Sequence, residues 1–205
     1  MKSVLISIRP EWCDLIVTGN KTIEVRKTKP KLETPFKVYI YCTAGVGKNT
    51  FCLPVSHKRI MEHYAETGSM DSLNAPIGNS KVIGQFICDE IKDMRDIEQE
   101  PTCLSIEEWL KYTDGHKGPV YGWHISNLKI YDEPKELCNF LTIDKHAVKR
   151  CEYRERACNN PDLTNGAFIP GSYVCIKGEI DWCSACKRKT ITRPPQSWCY
   201  VEELA

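Results

Sequence analysis

The chain opens on an alternating pattern. Val4, Ile6 and Ile8 stand against Leu5, Ser7 and Arg9, which predicts a strand. Pro10 suits the first turn of a helix, Trp12, Leu15 and Ile16 follow at helical spacing, and Gly19 is placed to end it. A second strand is expected over 21–27, and Pro30 and Pro35 bracket a basic loop. Phe36, Val38, Ile40 and Cys42 then alternate with Lys37, Tyr39 and Tyr41, predicting a third strand. Ser56 to Thr67 reads as a helix with Ile60, Met61 and Tyr64 on one side. Residues 68–81 read as a long Gly/Ser/Asn/Pro-rich loop, either a lid or mobile. Lys81 to Cys88 is the fourth strand, which 91–99 continues or leaves as a loop. Ser105 and Glu108 form a capping box that opens a helix through Trp109 and Leu110. The run 114–119 breaks it, Val120 to Ile130 is a further strand, and Ser197 to Glu202 closes the chain in the same alternating manner.

The chemistry concentrates just after the first helix, in Gly19-Asn20-Lys21-Thr22-Ile23-Glu24-Val25-Arg26. Successive side chains of a strand point to opposite faces. Ile23 and Val25 are therefore expected to face a core, with Thr22, Glu24 and Arg26 on the other side. Strict alternation would put Lys21 on the apolar side, so it is assigned to the turn, where Gly19 lets the chain bend. A lysine near a glutamate and an arginine binds a polar ligand, or loses its proton if desolvated. The plainer reading is a solvated strand whose ion pairs are worth roughly 0–1 kcal/mol each.

This run resembles the G-x-K-x-x-E-x-R signature of ASCH domains, members of the PUA-like superfold. The segments 6–12, Val82-Ile83-Gly84-Gln85-Phe86 and Tyr121-Gly122-Trp123-His124-Ile125 are similar to that family's other elements. The closing stretch resembles a terminal run of bacterial and prophage-borne members. The resemblance implies an α+β fold, a PUA-like β-barrel with flanking helices, formed by 1–143 plus 192–205. It also implies a positively lined cleft for RNA or a nucleotide, with Lys21, Glu24, Arg26, Arg9 and Lys48 as ligand-binding residues.

Some ASCH proteins are similar to acetylcytidine amidohydrolases, and others have been proposed as ribonucleases. In the first case Lys21 would be nucleophile or base, with Thr22 or Glu24 assisting. That branch carries a threonine where this chain has Glu24, and the nearest hydroxyl here is Thr22. Its catalytic glutamate precedes a helix resembling 105–112, which points to Glu98 or Glu100. A ribonuclease would draw on Lys21 and His124, whose near-neutral pKa suits proton transfer. His124 also reads as a sheet histidine with a backbone partner, and Tyr121 and Trp123 as base-stacking or core residues.

Composition narrows these options. The 205 residues suit one domain with an insertion, and the formal net charge of +1 leaves no global field to attract nucleic acid. RNA binding must then rest on a local patch. Lys21, Arg26, Lys27, Lys29, Lys31 and Lys37 offer one, with Glu24 and Glu33 among them; Lys187, Arg188, Lys189 and Arg193 offer another. Either patch also reads as a solvated loop. The apolar start is too short for a signal peptide, no stretch reaches membrane-spanning length, and a cytoplasmic location is expected. In that compartment twelve cysteines suggest thiols or metal ligands rather than disulfides.

The run 42–50 resembles a phosphate-binding G-x-x-x-x-G-K-[ST] loop but has Cys42 for the first glycine and Asn49 for the metal-binding hydroxyl. It is read as a flexible loop in which Lys48 can touch a phosphate. Over 144–191 the chain becomes a Cys-rich insertion. Cys183-x₂-Cys186 has the spacing of a zinc turn, and Cys151 and Cys158 are the expected second pair, with Cys175 as a substitute for Cys151. A structural zinc would fold a segment poor in apolar residues and make the protein a metal-stapled interaction module. Buried free thiols are the other reading.

Overall fold

The computed structural model describes residues 2–45, 50–71, 73–96, 102–142 and 189–202. Strand β1 (Lys2–Ile8) leads through Pro10 into helix α1 (Pro10–Val17), and strand β2 (Ile23–Arg26) follows. Then come β3 (Phe36–Cys42), α2 (His57–Thr67), β4 (Lys81–Cys88), β5 (Ile91–Asp93) and α3 (Ile106–Thr113). The chain continues through β6 (Tyr121–His124), β7 (Ser126–Lys135), β8 (Leu141–Thr142), β9 (Lys189–Thr190) and β10 (Trp198–Glu202).

The larger sheet runs β10-β1-β3-β4-β7, with only β1 and β3 parallel. The smaller sheet runs β2-β6-β5. Both faces of the larger sheet are buried, because alternate residues of β1 and β3 supply two cores. Val4, Ile6, Ile8, Val38 and Ile40 join Ile16 of α1 and Trp123 of the smaller sheet. Leu5, Tyr39 and Tyr41 pack against Phe140, Ile191 and Val201 on the opposite side. Full burial of such side chains contributes about 1.5–3 kcal/mol each.

The expected barrel is corrected here: the fold is α+β, and among the described residues the two sheets do not close into one. The reason lies at two corners. The predicted single strand over 120–130 breaks at Ile125, whose N–H bonds the Thr22 carbonyl at 2.8 Å, and Asn127 takes a φ of +47°. β6 therefore stays in the smaller sheet while β7 pairs with β4. Likewise β5 leaves the line of β4 and pairs with β6.

The loop after α2 is docked at its far end rather than hanging as a lid. Asn79 Oδ1 accepts from Phe51 N–H at 2.7 Å, and a Cβ on Gly78 would meet Phe51, Leu53 and Ile83 at 2.6–2.9 Å. The capping box at Ser105 and Glu108 forms as expected. β8 and β9 lie side by side, Leu141 opposite Thr190 and Thr142 opposite Lys189. The cysteines 151, 158, 175, 183 and 186, together with Lys48, Glu98 and Glu100, lie outside the described residues.

Candidate functional site: a buried lysine–glutamate–arginine cluster

Helix α1 sets up the site. Cys13 and Ile16 anchor it in the core, and Gly19 follows at a φ of +79°, a left-handed turn that glycine makes at low cost. Lys21 N–H then bonds the Leu15 carbonyl at 2.9 Å, which folds the turn back under the helix. Lys21 is in the turn, as expected, but its side chain points inward and is 3 % exposed. Its ammonium donates to the Thr102 carbonyl at 2.6 Å, lies 3.6 Å from Glu24 Oε2 and stands over the Trp12 ring at 5.2 Å.

Strand β2 is shorter than predicted, and its polar face turns inward. Glu24 is 6 % exposed, and its Oε1 meets an Arg26 nitrogen at 2.9 Å. The same nitrogen donates to the Ser7 carbonyl of β1 at 2.6 Å, and the other reaches Ser197 Oγ at 3.5 Å. Arg26 thus ties the smaller sheet to the larger one and to the segment before β10. Val25 on the other face is also buried, with Tyr112 of α3 donating to its carbonyl at 3.4 Å. A solvated strand with exposed ion pairs is therefore ruled out. Two cations and one anion are thus held together, against the Trp12 ring and the carbonyls of Thr102 and Ser7.

Burial pulls the Lys21 ammonium below the ordinary lysine range, and the Glu24 carboxylate opposes that pull. The cluster as written, two positive groups and one negative, carries a net +1. Trp123 stands directly opposite Glu24 in the β2–β6 ladder and so shares its face. The Trp123 indole Nε1 and Arg26 Nε are buried donors without a partner among the described residues. Trp123 is fully buried, which settles it as core rather than a stacking surface for bases.

The other expected residues fall elsewhere. Arg9 is largely exposed and pairs with Glu11 at 3.8 Å. Thr22 is half-buried and contributes its carbonyl to the corner at Ile125. His124 stands opposite Ile23, so it emerges on the face away from Glu24. Its Nδ1 meets Asp89 Oδ1 at 2.7 Å, both side chains being a little over two-fifths exposed. The hydrogen bond from His124 holds the Asp89 carboxyl below its usual range. Sequence reasoning missed Ser7, Trp12, Thr102 and Ser197. The sequence offers Trp123 as a base-stacking or core residue, but only the register of β2 against β6 puts it beside Glu24, and nothing local marks the Thr102 carbonyl.

Among the described residues, two sheets joined at corners, three helices and a buried polar cluster make up an α+β domain. The family model of the ASCH domain matches residues 6–136, and the chain belongs to that family. No curated protein matches the sequence. The ASCH protein of Zymomonas mobilis is structurally similar at 18% identity and a TM-score of 0.43, over 66% of this chain and 73% of that one. A variant of it gives 18% and 0.43 over 67% and 77%, and a second variant 14% and 0.48 over 98% and 89%. No helix among the described residues is long and apolar enough to cross a membrane.

Proposed function

We propose that the protein binds RNA or a nucleotide, with Lys21, Glu24 and Arg26 at the recognition end of the site. One observation carries this reading: the signature residues of an ASCH domain are gathered into one network with net positive charge, at whose edge Arg26 keeps some exposure. A carboxylate fixed from two sides is a preorganised acceptor for a base amine. The Arg26 guanidinium, whose side chain keeps 12% exposure, is the member of the cluster that the oxygens of a base or phosphate can meet. Charge-assisted hydrogen bonds of this kind are the stronger ones. The test is binding of short single-stranded RNA and of free nucleotides at low and moderate salt, with Arg26→Lys alongside. Binding that weakens with salt in the unaltered chain, and weakens further in the variant, supports the proposal. Absence of binding at low salt to every probe overturns it.

The lowered pKa of Lys21 favours a second reading, a hydrolase acting on acylated nucleosides with Lys21 as nucleophile or base. Hydrolysis of acetylcytidine that disappears in Lys21→Ala supports it; an inert substrate across a range of pH removes it. A ribonuclease pairing Lys21 with His124 has less support, since Lys21 points inward to Glu24 while His124 emerges on the face away from Glu24. A zinc held by Cys151, Cys158, Cys183 and Cys186 in a 144–191 insertion remains a proposal from spacing alone. Metal content of the purified chain, with and without Cys183→Ser, tests it.

A further inference from the structure

The loop after β2 is unusual in how its lysines are held. Lys27 Nζ stands 5.1 Å from the centre of the Tyr112 ring of α3, and Lys29 Nζ stands 4.9 Å from the Tyr121 ring of β6. The Lys31 N–H donates to the Tyr200 hydroxyl of β10 at 2.7 Å, and Lys2 Nζ lies over that same ring at 5.3 Å. Between them Trp198 Nε1 donates to Thr28 Oγ1 at 3.0 Å, and Pro30 is buried. Three separate elements therefore pin one short basic loop, and each supplies an aromatic ring.

Charge separates these lysines from others on the surface. Lys58, Lys81 and Lys92 each meet a glutamate, at 3.7, 3.0 and 2.9 Å. Lys2, Lys27, Lys29 and Lys31 have no ion-pair partner among the described residues. Asp93 is engaged by Arg95 at 2.7 Å and feels Lys29 only as its weakest influence, while Glu202 stands opposite Lys2 in the β1–β10 ladder. A cation over a tyrosine is attracted by the ring and keeps its full charge. The result is a loop that presents the Lys27 and Lys29 ammonium groups held over rings and anchors Lys31 through its backbone, none of the three with a carboxylate in contact, on a chain whose net charge is only +1. Ordering long side chains is a main cost of binding, and here much of it is met before the ligand arrives.

We infer that Lys27, Lys29 and Lys31 form a phosphodiester track for single-stranded RNA, the first two held over the Tyr112 and Tyr121 rings and the third on backbone that the Tyr200 hydroxyl anchors. Alternating cations and aromatic rings fit a single strand, whose bases are unstacked and free to lie against a ring edge. The track begins one residue beyond Arg26. A strand lying on it is directed toward the buried cluster, so backbone contact and recognition occur at two adjoining places. This inference rests on the RNA reading above.

The experiment is fluorescence anisotropy of a labelled single-stranded RNA across a salt series. It compares the unaltered chain, the triple variant Lys27→Gln/Lys29→Gln/Lys31→Gln, and the charge-matched control Lys58→Gln/Lys81→Gln/Lys92→Gln. Loss of three phosphate contacts is expected to flatten the log–log salt slope by about 2 in the track variant. The control is expected to keep the slope of the unaltered chain. If the unaltered chain binds RNA and the track variant matches it, or the control falls equally, the track is overturned and the RNA reading survives. If the unaltered chain binds no RNA at low salt, both fall. Equal or tighter binding to a duplex, or to vesicles of phosphatidylcholine with phosphatidylserine, overturns the assignment to a single strand. All six substituted side chains are surface lysines, so thermal melting of the variants is expected to stay near that of the unaltered chain.

Discussion

On one face of the β2-β6-β5 sheet, Glu24 meets two cations with almost no exposure; on the other, Asp89 meets His124 in open water. Both are short contacts between acidic and basic groups, anchored on or beside neighbouring strands. Their physics differs because their solvent differs. An exposed pair is screened and worth roughly 0–1 kcal/mol. A buried one has lost its hydration and depends on every partner it retains. The buried cluster accordingly reaches into three further elements, through the carbonyls of Ser7 and Thr102 and the ring of Trp12. The exposed pair is linked mainly within its own corner. The same sheet thus carries one arrangement bound to the fold and one that the fold can do without.

The sharpest test removes the shared anion. Glu24→Ala leaves Lys21 and Arg26 buried without their carboxylate, and breaking such a network costs about 3–5 kcal/mol. In a chain of this size the melting temperature is expected to fall by on the order of 10 °C. Chemical denaturation of Glu24→Ala beside Asp89→Asn measures the contrast. Equal losses from the two variants would show that burial does not separate the faces.

A smaller effect is expected from Lys21→Met, because Arg26 still holds Glu24 at 2.9 Å. The loss of the hydrogen bond to Thr102 and of the paired charge is expected to cost about 1–3 kcal/mol. The pH dependence is more diagnostic. Burial lowers the Lys21 pKa in the folded state, while the unfolded chain keeps a value near about 10.4. Between the two values the unfolded chain binds more protons, so stability from this group rises with pH. Below the folded value the slope vanishes. Denaturation across the alkaline range is expected to show that rise in the unaltered chain and its loss in Lys21→Met. An identical slope in both would place Lys21 in water.

Most elements were legible because short-range pattern determines them. The alternation of Phe36 to Cys42, the capping box at Ser105 and the glycine stop at Gly19 are local, and each was found where expected. Lys21, Glu24 and Arg26 were also legible as a group, since three chemistries within six residues of a short strand must lie close together. Their direction was not. Alternation tells which residues share a face, not which face is covered, and here both are. The break at Ile125 was illegible for a related reason. Its cause is a hydrogen bond to Thr22, more than a hundred residues away in sequence. The barrel expectation failed at that point, because one run of residues serves two sheets.

The exposed pair offers the finest discrimination. The His124 hydrogen bond holds the Asp89 carboxyl below its usual range, and Ser126 adds a lesser hydrogen bond. A depressed carboxylate adds stability that is present above its unfolded value, near about 3.9, and is lost as pH falls through the folded value. Because the pair is little buried, that contribution is expected to stay within about 1 kcal/mol, and Asp89→Asn should remove it. The difference in melting temperature between the unaltered chain and Asp89→Asn should therefore be small at neutral pH and vanish in strong acid. Added salt should shrink it at neutral pH, since screening reaches this face freely. The same salt series should leave the Glu24→Ala difference nearly unchanged, because Lys21 and Glu24 are almost wholly buried and screening acts weakly there. If salt reduces both differences alike, the Glu24 side is as open to solvent as the Asp89 side, and the case for a preorganised recognition end fails with it.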